Sequence, residues 1–250
     1  MHMLKIRGIF WPVALGMAVF ISTAAQASGF GVAPIRLDFD RTSKTGLIEV
    51  SNDDTRPLSF QMKLFAWSQD AEGKDQYQPS NDLIFFPQIM SLKPKEKRPI
   101  RVGTKGPPAA SERAYRLFIE ELPDPAETAA AKAPQIAVRI RFGVPLFVAP
   151  AQPQIAGVIE DAKLAKGEIQ LRVRNTGNRN FQFETVAARA GTTSIGETRG
   201  WYLFPGIARA YSIKVDSEAC AKAKTLEVHL SADGLELKHE LEATPTLCRP

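Results

Sequence analysis

The stretch Gln135-Ile136-Ala137-Val138-Arg139-Ile140-Arg141-Phe142-Gly143-Val144-Pro145-Leu146-Phe147-Val148 decides the fold class. Ile136, Val138, Ile140 and Phe142 recur at every second position, with Ala137, Arg139 and Arg141 between them. A period of two places the first set on one face of an extended strand and the second set on the other; a helix would scatter both around its barrel. The segment is also long, because strands commonly run about 5–6 residues. Alternation does not say which face meets a core. The apolar stripe is either ordinary core or an edge left open to another chain.

Outward from this stretch the same period recurs and helical periodicity is nearly absent. Phe30–Phe39 places Ile35, Leu37 and Phe39 on one face and Arg36 and Asp38 on the other. Leu47–Val50 ends at the turn cluster Ser51–Asp54, and Leu58–Ala66 alternates cleanly. Gln69–Asp82 is polar and reads as loop; Leu83–Phe86, Gln88–Leu92, Pro99–Lys105 and Tyr115–Leu122 read as further strands. Ala149-Pro150-Ala151-Gln152-Pro153-Gln154 is the best linker, two prolines stiffening six small or polar residues. Beyond it come Glu168–Arg174, Phe181–Ala187, Trp201–Phe204, Ala208–Val215, Thr225–Leu230 and Leu235–Leu241, with the hairpin signal Asp233-Gly234 between the last two. The chain is therefore expected to be all-β: two immunoglobulin-like β-sandwich domains over residues 28–148 and 155–250, joined by a linker over 149–154.

Residues 1–27 stand apart. Lys5 and Arg7 precede the apolar run Ile9–Ile21, and Ala25-Gln26-Ala27 offers a small-x-small cleavage site, so this reads as a secretory signal peptide. The run is too short to span a bilayer, which takes roughly 20 apolar residues. Export to the periplasm is the expectation.

Composition narrows the function. Of 250 residues, 44% are apolar and 24% charged, too apolar for a disordered chain. The net charge of +5 falls to 30 − 27 = +3 without Lys5 and Arg7, and the basic residues are interleaved with acids, so no nucleic-acid surface is indicated. The two cysteines, Cys220 and Cys248, exclude a four-thiolate zinc site and read as one disulfide in an oxidising compartment. If Asp233-Gly234 is a two-residue turn, His229 pairs with position 238 and His239 with 228, so the imidazoles face opposite ways and share no metal. The nearest approach to a nucleophile elbow, Gly191–Gly196, lacks the required spacing. Glu120 and Glu121 are neighbours on a strand and point apart. No enzyme, cofactor, metal or small-molecule substrate is expected.

Several segments in fixed order carry a resemblance. They are Val32-Ala-Pro-Ile-Arg36, Glu49-Val-Ser-Asn52, Arg56-Pro57, Phe86-Pro87, Leu92-Lys-Pro94, Pro99-Ile-Arg-Val102, Tyr115–Pro123 and Gly143–Pro150. The set resembles the periplasmic pilus chaperones of the chaperone–usher pathway, closely in the N-terminal half and loosely in the C-terminal half. The resemblance implies two domains at an angle with a cleft between them. It implies binding of pilin subunits by donor-strand complementation, a known form of strand addition, and delivery to an outer-membrane usher. The stripe Ile136, Val138, Ile140 and Phe142 would fill the groove of an incomplete subunit. The family also anchors the subunit's terminal carboxylate on two basic side chains. Arg36 matches the first. Gly143 stands where better-known members carry the second, a lysine, and Arg116 is the best substitute, with Arg101 and Arg141 behind it. This departure resembles the archaic, spore-coat-like branch. The alternative is a secreted two-sandwich interaction or structural module without chaperone activity, in which the stripe is buried as core.

Overall fold

The computed structural model describes residues 29–123 and 139–249. The expected signal peptide, with Ile136 and Val138 of the stripe, lies outside the described residues. The first half is two packed sheets. One runs in the order β1 (Phe30–Ala33), β3 (Thr45–Asn52), β8 (Lys97–Thr104), β6 (Leu83–Phe86). The other runs β2 (Leu37–Phe39), β10 (Arg141–Val148), β9 (Arg113–Glu121), β4 (Leu58–Gln69), β5 (Asp75–Pro79), with β7 (Ile89–Leu92) on the first part of β4. Alternation supplies the inner faces: Ile48, Val50, Ile100 and Val102 meet Phe60, Met62, Leu64, Leu117, Ile119, Val144 and Leu146.

The second half repeats the plan. A three-stranded sheet of β11 (Gly157–Ala165), β12 (Glu168–Asn175) and β17 (Ala208–Lys214) faces a four-stranded one. The latter runs β15 (Thr193–Arg199), β14 (Thr185–Ala190), β18 (Thr225–Ala232), β19 (Leu235–Glu242), while β13 (Phe181–Gln182) pairs with β16 (Tyr202–Leu203). Ile169, Leu171, Val173, Phe183, Val186, Val228 and Leu230 form its core. Asp233 and Gly234 both adopt positive φ, 47° and 81°, as a two-residue hairpin turn of matching twist requires. Val228 accordingly pairs with His239 and His229 with Lys238.

Both sandwiches use one device at the end of an inner strand. Asn52 is fully buried and its Nδ2 donates to the carbonyls of Arg56 and Leu92, while its Oδ1 accepts from the Asp54 amide. Asn175 does the same with the carbonyls of Arg179 and Leu203 and the amide of Gly177. Each amide side chain closes a turn that would otherwise leave buried backbone groups unpaired.

Several expectations are corrected. Ile35 does not share a face with Leu37 and Phe39: the chain bends there as it passes from one sheet to the other, and Ile35 is 68% exposed. The polar stretch Gln69–Asp82 is not all loop, because β4 runs on to Gln69 and Asp75–Pro79 pairs with it. The described strand at the linker begins at Arg141. A six-residue helix, α1 (Ser217–Lys222), is capped by the Asp216 side chain on the Ala219 amide. Cys220 within it is bonded to Cys248, with Cα atoms 5.7 Å apart.

A third apolar cluster joins the halves. Trp67 of β4 and Phe147 of β10 pack against Tyr202 and Phe204. Beneath it the buried Gln69 amide donates to the Tyr202 carbonyl and accepts from the Phe204 amide. On one flank, Asn178 Nδ2 donates to the carbonyls of Ala110 and Gln152 and its Oδ1 accepts from the Gln154 amide.

Candidate functional site

The site grows from β10. Its residues pair antiparallel with β9 along its whole length, Arg141 opposite Glu120 through Val148 opposite Arg113. On its other side β2 pairs only with Leu146–Val148, in parallel. No described strand covers the edge of Arg141–Pro145, so its backbone is free of strand pairing there, with the Gly143 carbonyl taken by the Arg116 guanidinium. Ile140, just before the open stretch, is exposed. Phe142 is partly buried against the first core beside Val144 and Leu146, so the end of the expected stripe is core. By the pleat the stripe continues the inward face of positions 144, 146 and 148 in phase, and Ile140 differs from Phe142 in standing just before the described strand.

The outward face of this sheet carries Arg36, Arg116 and Arg141 beside aromatic rings. Arg36, just before β2, lies with its guanidinium carbon 4.6 Å from the Phe147 ring centre. Its Nε and Nη2 both donate to Asp38, at 2.7 Å each. Burial works to lower the pKa of this guanidinium, but Asp38, Tyr202 and Asp233 outweigh it and hold the group above its ordinary value. Arg116 lies over Trp67, 4.0 Å from its ring centre, and its Nη1 donates to the Gly143 carbonyl at 3.3 Å. Its Nε is buried without a hydrogen-bond partner. Arg141 covers the Phe118 ring at 3.6 Å and pairs with Glu120 at 2.8 Å.

Gly143 follows from these neighbours. A Cβ there would stand 2.8 Å from a Phe118 ring carbon and 3.0 Å from Arg116 Cδ. Arg116 and Phe118 thus occupy the space a side chain at 143 would need. Arg101 is not brought to this face. It lies on the outer side of the other sheet, between Leu47 and Phe86 in the strand register. Leu47, Ile84 and the 71% exposed Phe86 surround it, an apolar patch that sequence reading missed although Phe86 precedes Pro87 at a strand end.

Two further groups mark the junction of the halves. Glu112 accepts from the backbone and side-chain nitrogens of Asn180, and its side chain is only 2% exposed. Burial pushes its pKa up, against the opposing pull of Asn180, Arg179 and Arg36. Tyr115 donates to Asp82, and burial raises its hydroxyl to about 12. Among the described residues no cluster of histidine, cysteine and carboxylate could hold a metal ion.

The first of two β-sandwiches thus presents an open strand edge, with Arg36, Arg116 and Arg141 stacked on rings of the same sheet. Residues 29–154 match the family described as pili and flagellar-assembly chaperone, PapD N-terminal domain, and the protein belongs to that family of pilus-assembly chaperones. A probable fimbrial chaperone, LpfB of Escherichia coli O157:H7, is 28% identical over 186 residues, covering 70% of this chain and 74% of its own. Among solved structures, a chain of the CsuC–CsuE chaperone–tip adhesion subunit complex, from the archaic Csu pili of Acinetobacter baumannii, aligns with a TM-score of 0.60 at 19% identity. It covers 84% of this chain and 98% of that one. The Salmonella enterica SafA pilin–SafB chaperone complex aligns with a TM-score of 0.57 at 15% identity, over 87% and 99% of the two chains.

Proposed function

We propose that this chaperone works in the periplasm, lends the open edge of β10 to pilin subunits that lack a strand, and passes them to an outer-membrane usher. The observation that carries the reading is the unpaired edge over Arg141–Pro145, ending where Arg36 and Arg116 stand. An added strand can run along this edge only as far as Leu146, where β2 already occupies the ladder. Arg36 directly precedes β2, and Arg116 lies opposite Pro145. A strand whose C-terminus stops at this barrier delivers its carboxylate to the two guanidiniums, which requires it to lie parallel to β10, as β2 does. Arginine suits the task because its planar fork holds a carboxylate through two hydrogen bonds. Ile140, with Ile136 and Val138 by sequence alternation, would fill pockets of the subunit while the backbone completes the ladder.

Client capture by the co-expressed, exported protein tests this, with melting temperature measured beside it. Arg36→Ala and Arg116→Ala should each weaken capture by about 30-fold or more, by leaving a desolvated carboxylate short of a partner. Ile140→Asp should abolish capture by putting a charge into an apolar pocket. All three should melt as the wild type does. Unfolding by Ile140→Asp would identify the stripe as core and favour a structural module; normal capture by both arginine variants would remove the carboxylate anchor.

A further inference from the structure

Arg36 is offered above as a clamp for a carboxylate, yet its fork already holds one. Arg36 and Asp38 are two residues apart on the same face, and Nε and Nη2 are both donated to Asp38 at 2.7 Å. That is the bidentate geometry a subunit's terminal carboxylate would adopt. The Arg36 side chain is 30% exposed and that of Asp38 46%, so water is at hand to receive the displaced group. Arg116 differs: it meets a ring face and one backbone carbonyl, and among the described residues no carboxylate is bonded to it.

We infer that Asp38 is an intramolecular stand-in for the client's carboxylate, which makes capture at Arg36 conditional on strand pairing along β10. The inference rests on the anchor reading above and adds its regulation. Tethered two residues away, the Asp38 carboxylate competes at an effective concentration on the order of millimolar or higher. A carboxylate arriving alone from dilute solution does not displace it. One that arrives at the end of a strand already laddered onto Arg141–Pro145 is itself tethered, and competes on equal terms. The apparent affinity of any ligand falls by the fraction of molecules whose fork is free, so Asp38 discriminates against stray chain termini and against groups that offer charge without a strand. Specificity here is a repulsive element set against the wrong ligand.

The test uses the mature protein and acetylated peptides of alternating Val and Thr, three and eleven residues long, each as free acid and as amide. Binding is followed by calorimetry. Wild type should favour the acid over the amide only for the long peptide. Asp38→Asn should tighten both free acids by about two- to fivefold, the range of a surface ion pair's worth, and give the short acid measurable binding. Amide binding should not change. In the double variant Arg36→Ala/Asp38→Asn the gain should vanish. Asp38→Ser repeats the experiment with a side chain that cannot reach the fork, and melting curves establish that each variant is folded. If Asp38→Asn weakens the acids or leaves them unchanged while Arg36→Ala weakens them, Asp38 merely positions the arginine, and the stand-in is overturned with the anchor intact. If Arg36→Ala leaves the preference for the long acid unaltered, or no peptide binds at millimolar concentration, the anchor itself fails and takes this inference with it.

Discussion

At the scale of single residues, the outward face of the β10 sheet is organised by an absence. Gly143 has no side chain because Phe118 and Arg116 need its space, and its carbonyl in turn accepts from Arg116 Nη1. Gly143→Ala should therefore cost about 1–3 kcal/mol of stability, since the ring it strikes is flanked by Phe65 and Tyr77 and yields little. Urea unfolding checks the number. Pairing Gly143→Ala with Phe118→Ala should cost less than the sum of the two single changes, because the second opens the space the first requires. A loss equal to the sum would mean that the ring is not what excludes the methyl group.

At the scale of elements, what the sequence reveals depends on how many faces of a strand are covered. Leu58 to Leu64 reads correctly because one side meets one core. Past Ala66 the same strand is buried on its other side, where Trp67 and Gln69 meet the second sandwich, and the period of two stops being informative. β5 and β11 escape notice for the opposite reason: they are sheet edges with few buried residues, Asp75-Gln-Tyr-Gln-Pro79 among them, so their positions carry no apolar signal. Arg36 and Arg116 were legible as residues facing away from buried neighbours. The Arg36–Asp38 fork was not anticipated, although opposite charges two apart on one strand face are its signal. The phase at which Phe142 turns inward could not be read, because alternation labels faces without saying which one is covered.

The short helix α1 illustrates an element held from outside. Six residues are too few to be stable alone, and the Cys220–Cys248 bond fastens it to the segment after β19 across a separation of 28 residues. Replacing both cysteines by serine should lower the stability of the second sandwich by about 2–4 kcal/mol, measured by urea unfolding, while client capture stays at the wild-type level. Unchanged unfolding in the serine variant, or two free thiols in the exported protein, would contradict this.

At the scale of the whole molecule, the relation between the sandwiches should depend on pH through Glu112. Its carboxyl is buried at the junction with its pKa above the ordinary 4.5, so the folded state holds this proton more tightly than the unfolded state does. The stabilisation that follows is complete below about the ordinary value and is lost as pH rises through the raised one. Glu112→Gln keeps the shape without the ionisation. It should melt higher than the wild type at neutral pH, and the two should converge near pH 4. Parallel curves throughout would exclude Glu112 as the group responsible.

The third apolar cluster has an optical consequence. The chain has three tryptophans. Trp11 lies in the stretch read as signal peptide; Trp67 is the centre of the cluster between the sandwiches, and Trp201 packs at its margin with its indole N–H donated to Asp75. Among the described residues, neither sandwich has an indole in its own interior. Once the stretch read as signal peptide is removed, the indole fluorescence should therefore come from the seam. A red shift without loss of β-sheet circular dichroism would report the two halves parting, with no label attached.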